Sequence, residues 1–174
     1  ARLGAGRGNA GNALHTDGVD DFASIPNAPS LNLSGAITMA GWVKFDTTQG
    51  LRTVVSHGYS ASPVAETFLR IADGKYEVGS WNGAAHIASA PIASGDVGQW
   101  VHLTGTFDGS SWRLYRNGQL IATKATPVGA LANPSVGWGI GAAGNARHFF
   151  KGAIDDLHVF DRALSAAEVK TLAV

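Results

Sequence analysis

The sequence predicts an all-β fold: two packed antiparallel sheets and one short C-terminal helix. Three observations predict it. Short β-rich runs recur roughly every 10–15 residues between turn signals. The clearest runs alternate apolar and polar side chains, the period of a strand with one buried face. Helix signals are confined to one segment near the C-terminus. The 174 residues are enough for one domain with a real core and too few for two.

Residues 1–11 are rich in Gly, Ala, Asn and Arg and read as a linker or a first edge strand, with a single domain over 12–174. Ile37 to Phe45 alternates, with Ile37, Met39, Val43 and Phe45 on one face. Arg52–His57, Glu66–Ile71, Tyr76–Trp81 and His86–Ala88 follow as further strands. From Trp100 to Phe107, Val101, Leu103 and Phe107 alternate with His102, Thr104 and Thr106, which predicts a half-buried strand. Asn117-Gly118 separates Trp112–Arg116 from Leu120–Thr123, a strong hairpin signal because both turn residues accept positive φ. Asp73-Gly74, Asn82-Gly83 and Asp108-Gly109-Ser110 mark further turns. Ser165 followed by Glu168 fits a capping box and opens the helix over 165–172.

Composition narrows function. The charged fraction is 15% and the formal net charge is zero, which argues against nucleic acid and against an anionic membrane surface. No apolar run approaches a membrane span. With no cysteine, disulfides, thiolate zinc sites and cysteine nucleophiles are excluded. The start lacks Met and an apolar leader run, and reads as a processed product or a module of a longer, secreted protein.

Two segments hold most of the carboxylate pattern. Asp17-Gly18-Val19-Asp20-Asp21 surrounds a glycine with acids, and Asp155-Asp156 interrupts an apolar strand. A desolvated carboxylate needs a cation, a metal or several donors. These segments read either as two halves of one hard-cation site or as aspartates that cap turns. A second group is aromatic and polar. Sugar rings pack C–H faces on aromatic rings and offer hydroxyl edges to Asn, Asp, Arg or His. Trp81 with Asn82 at a hairpin supplies that pairing, and Tyr59 supplies another aromatic. Arg70, Glu66 and His86 are expected on one sheet face, with Arg147-His148 as a loop wall. Trp42, Trp100 and Trp112 read as packing.

The ordered set Leu14…Asp17-Gly18-x-Asp20-Asp21-Phe22, Ile37-Thr38-Met39-Ala40-Gly41-Trp42-Val43, Trp100-Val101-His102-Leu103-Thr104-Gly105-Thr106-Phe107-Asp108-Gly109, Leu114-Tyr115-Arg116-Asn117-Gly118 and Gly152-x-Ile154-Asp155-Asp156…Arg162-Ala163-Leu164-Ser165 resembles the concanavalin A-like, laminin-G-like (pentraxin-related) domains. The resemblance implies a jelly-roll β-sandwich. It also implies a structural Ca2+ where the chain ends meet, with Asp17, Asp20 and Asp155 matching the ligand positions best and Asp156 less well. The fold hosts lectins, binding modules, adhesion domains and enzymes, so fold alone does not assign function.

An enzyme is disfavoured. Glycoside hydrolysis needs two placed carboxylates, and the Glu-x-Asp-x-x-Glu motif of the related laminarinase-type enzymes is absent. Only Glu66, Glu77 and Glu168 are available. The six histidines lack a His-Glu-x-x-His spacing. The expectation is a non-catalytic, lectin-like carbohydrate-binding module of an extracellular multidomain protein, taking a polysaccharide or glycan through Trp81, Asn82, Tyr59, Arg70, His86 and His148. The alternatives are a protein-interaction or adhesion domain using segments 57–66 and 141–150, or a spacer beside a polysaccharide-degrading enzyme.

Overall fold

The computed structural model describes residues 1–61 and 63–174. Its strands are β1 (Arg2–Ala5), β2 (Asn12–Asp17), β3 (Ala23–Ile25), β4 (Ile37–Phe45), β5 (Leu51–Ala61), β6 (Val64–Ala72), β7 (Lys75–Trp81), β8 (Ala85–Pro91), β9 (Val101–Phe107), β10 (Ser111–Arg116), β11 (Gln119–Ala125), β12 (Trp138–Ile140) and β13 (Lys151–Phe160), followed by helix α1 (Ala166–Leu172). They form a seven-stranded sheet in the order β1-β2-β13-β4-β9-β10-β11 and a six-stranded sheet in the order β3-β12-β5-β6-β7-β8. Neighbouring strands pair antiparallel. The two sheets pack face to face as a jelly-roll sandwich, with Ile37, Met39, Val43, Phe45, Leu69, Ile71, Tyr76, Val78, Leu103, Phe107 and Leu114 in one core.

Residues 1–11 include edge strand β1, whose Leu3 pairs with Leu14 of β2. At one point the sheets approach closely: a Cβ added to Gly105 of β9 would lie 2.0 Å from Cγ2 of Val78 on β7. Asn117 (φ 47°) and Gly118 (φ 76°) both take left-handed conformations, the geometry of a tight hairpin turn. Ser165 caps α1: its Oγ accepts from the Glu168 N–H, and the Glu168 carboxylate accepts from the Ser165 N–H at 2.8 Å.

The sequence predicts a half-buried β9, but all its residues are buried. The outer face of the seven-stranded sheet is covered as well as the inner one. Leu164 and Val169 pack on Tyr115, and the Arg7 guanidinium lies 4.0 Å from the ring centroid of Trp42. Trp42 in turn meets His102 edge-on at 5.2 Å. Burial holds His102 down to about 4, with the Arg7 and His158 charges adding to the effect, so it is neutral at pH 7. The side-chain period of β9 is read correctly from the sequence; what covers its second face comes from distant chain segments.

Candidate functional site

Register places one group of side chains on the outer face of the six-stranded sheet. Gly58 pairs with Glu66 and Glu66 with Trp81, forming one row across β5, β6 and β7. The next row is Ser56, Phe68, Gly79 and Ile87, and the next Thr53, Arg70, Glu77 and Ser89. Alternation aims the residues between these rows into the core, so these three rows share the outer surface.

The segment 141–150 lies over the β12–β5 half of this face. The Gly144 N–H donates to Ser56 Oγ at 3.2 Å, and the Thr53 N–H donates to the His148 carbonyl at 2.8 Å. A Cβ on Gly144 would meet the Gly58 carbonyl oxygen at 2.3 Å, so glycine is required for this approach. The wall ends in Tyr59 and His148, packed edge-on at 5.4 Å. Tyr59 (φ 73°), Ala146 (φ 60°) and His148 (φ 55°) all take left-handed backbone conformations there. Such strain in non-glycine residues clusters at binding sites, where surrounding structure holds it. Exposure on this face rises towards β7 and β8, where Trp81 is 42% exposed and Ser89 is exposed.

Arg70 occupies the centre. Its Nε and Nη2 each lie 2.9 Å from Glu77 Oε2, and its guanidinium stacks 3.9 Å from the Phe68 ring centroid. That stacking explains why Phe68 is fully buried although it faces away from the main core. Glu66 is 3% exposed. Burial pushes its carboxyl up to about 7, against the opposing pull of Arg70 and a hydrogen bond from Ser56. Burial likewise lowers His148, with Arg70 and Arg147 contributing, which favours the neutral imidazole. Thr53 Oγ1, Glu66 Oε1 and His148 Nδ1 are buried without a hydrogen-bond partner among the described residues. Unpaired buried polar atoms are costly, and here three belong to one face and its wall.

The sequence-predicted ligand residues are thus partly assembled. Trp81, Arg70, Tyr59 and His148 border one face, and Glu66 joins them. His86 does not share that face: it pairs with Ser80 on the inner side, its Nδ1 3.0 Å from Thr126 Oγ1 and its Nε2 3.1 Å from Asn82 Oδ1. Strand alternation makes this unavoidable, because β8 residues beside Ser80 and Val78 face inward. Asn82 sits at the β7–β8 turn beside Trp81, oriented by His86. Thr53, Ser56 and Phe68 are not singled out by the sequence, and Glu77 is considered there only as a carboxylate beside Glu66; the β5–β6–β7 register is what brings them to one face. Of the segment 57–66, Ser62 lies outside the described residues, and the remainder is mostly strand rather than loop.

The acidic residues divide differently from expectation. Carboxylate oxygens of Asp17, Asp20 and Asp21 lie within 4.8 Å of one another. Asp17 Oδ1 accepts the Val19 N–H at 2.8 Å, the main cause of its lowered pKa, and Asp21 pairs with the Ala1 ammonium. Three hard oxygen donors on one turn fit a calcium ion chemically. Asp155 is not part of the group. Its Oδ2 accepts the Arg7 N–H at 2.9 Å and its Oδ1 accepts the Asp156 N–H at 2.9 Å. It lies four residues along β13 from Lys151, the partner of Asp17, or roughly 13 Å of strand. Asp155 fastens the N-terminal segment to β13, and Asp156 (φ 46°) lies in the β13 bulge.

Comparison with known proteins agrees with this architecture. The Laminin_G_3 family, described as the concanavalin A-like lectin/glucanases superfamily, matches residues 17–170. A rat protein named for sushi, von Willebrand factor type A, EGF and pentraxin domains is 30% identical over 146 residues, 79% of this chain. The chain spans only 2–4% of the length of the curated relatives it matches. Among solved structures, domain 4 of the Geobacillus stearothermophilus arabinanase AbnA, in complex with arabinotriose, has a TM-score of 0.70 at 19% identity, covering 99% of this chain and 80% of that one. The Ruminococcus gnavus sialidase CBM40 bound to α2,3 sialyllactose has a TM-score of 0.74 at 15% identity, covering 93% of this chain and 96% of that one. With most of its length matched by the family, this chain belongs to the concanavalin A-like lectin/glucanase superfamily, in its laminin-G-like branch.

Proposed function

We propose that the chain is a non-catalytic carbohydrate-binding domain that takes a short stretch of glycan on the outer face of its six-stranded sheet. The observation that carries this reading is exposed Trp81 on the same face as the partly exposed Arg70–Glu77 pair, which is backed by buried Glu66 and Thr53. Trp81 offers a platform for the C–H face of a sugar ring, and Arg70 with Glu77 offers donors and acceptors to adjacent hydroxyls. Tyr59 and His148 border the face. Structural similarity to domains solved with arabinotriose and sialyllactose supports the reading. Glu77 is held by Arg70, and Glu66 is buried two rows away from it, which supports binding over hydrolysis. As a module of an extracellular, multidomain protein, the domain would raise the local concentration of glycan for its neighbours.

The proposal includes a structural calcium on Asp17, Asp20 and Asp21, which would brace the β2–β3 turn. Asp155 is left out of that ligand set. The test is a glycan array probed with the wild-type chain and Trp81→Ala, with calcium and with chelator. Retention by the wild type and its loss in the variant, with melting temperature unchanged, supports the reading. A blank array from folded protein refutes it and favours a protein-interaction role.

A further inference from the structure

We infer that the outer face of the six-stranded sheet selects uncharged sugars and discriminates against sialic acids and uronic acids; this rests on the glycan-binding reading above. Binding a sugar carboxylate on a partly desolvated face needs a cation with free donors. Arg70 is the cation at the centre of this face, and it is already engaged. Its Nε and Nη2 both point to Glu77 Oε2 at 2.9 Å, and its flat face is packed on Phe68. Arg70 and Glu77 side chains are only 13% and 14% exposed, so their pairing is poorly screened by water.

The other titratable groups around Arg70 do not restore a positive field. Glu66 adds a second carboxyl from the same strand, two rows from Glu77. His148, on the covering segment, is held toward its neutral form. Arg147 and Lys75 are cations of this region, and both are exposed. Exposed rim charges steer association and contribute little to affinity. An incoming carboxylate would therefore face Glu77 and would have to displace an existing ion pair. A neutral sugar meets no such penalty. Its hydroxyls donate to Glu77 without separating the Arg70–Glu77 pair.

The experiment measures binding of arabinotriose, cellotriose, α2,3-sialyllactose and a trigalacturonate to the full chain by calorimetry, in 0.05 M and 0.5 M NaCl. The expected result is binding of at least one neutral trisaccharide, with affinity changing less than about twofold across the salt range. Each acidic sugar binds at least tenfold more weakly. Glu77→Gln frees the guanidinium and is expected to move the acidic-to-neutral affinity ratio at least fivefold toward the acidic sugar. An acidic sugar bound more tightly than either neutral one, with affinity falling steeply in salt, overturns the inference and leaves glycan binding standing. No binding of any of the four by folded protein, together with a blank array, overturns both.

Discussion

Glu66→Gln tests the electrostatics of the outer face without removing volume. The Glu66 carboxyl is raised from an ordinary 4.5 to about 7, chiefly because burial disfavours its ionised form. The folded state therefore holds this proton more tightly than the unfolded chain does. Stability from Glu66 is fully present below about pH 4.5 and is lost as pH rises towards 7. At about 1.4 kcal/mol per pH unit, the ionised side chain costs about 3 kcal/mol above neutrality. Glutamine keeps the shape and an oxygen for Ser56 and carries no charge. The variant should match the wild type near pH 5 and exceed it by about 2–3 kcal/mol at pH 8. His57, His102 and His148, all held below their ordinary values by burial, act in the opposite sense as pH falls. They are common to both proteins, so the difference between the two stability curves isolates Glu66. Urea unfolding at pH 5, 6, 7 and 8 supplies those curves. A variant less stable than wild type at pH 8, or a difference independent of pH, would refute the reasoning.

Three further outcomes are expected. Gly105→Ala should destabilise by about 1–3 kcal/mol, because its methyl would collide with Val78 across the sandwich; in a Val78→Ala background the loss should shrink by at least half in the same urea assay. Asp96→Asn should cost about 2–3 kcal/mol by thermal unfolding, since buried Asp96 holds both Arg116 and the Tyr76 hydroxyl, the latter at 2.7 Å. If Asp17, Asp20 and Asp21 hold calcium, saturation at 100 times the dissociation constant should add about 2.7 kcal/mol of stability. Calorimetry should then show no such gain for Asp17→Asn/Asp20→Asn, and an equal gain in wild type and variant would remove those ligands from the proposal.

Much of the fold was legible because β-structure writes itself locally. The alternation of Ile37, Met39, Val43 and Phe45, the Asn117-Gly118 turn and the Ser165/Glu168 cap each act within a few residues. The site was less legible because it depends on register between strands distant in sequence. Arg70 could be suspected from its residue type, but its partner Glu77 emerges only when β6 and β7 pair. His86 looked equivalent to Arg70 until alternation along β8 placed it on the other face. The acidic segments tell the same story: Asp21 completes a local turn with Asp17, whereas Asp155 is claimed by Arg7, a contact across 148 positions that no local pattern encodes.

The most direct test of the central claim maps where glycan touches the domain. Backbone and indole N–H resonances would be followed by NMR while the best-retained oligosaccharide from the array is titrated in. Shifts concentrated at Trp81, Arg70, Thr53, Tyr59 and Gly79, and absent in Trp81→Ala, are the expected result. Shifts confined to the outer face of the seven-stranded sheet, with Trp81 and Arg70 unmoved, would contradict it.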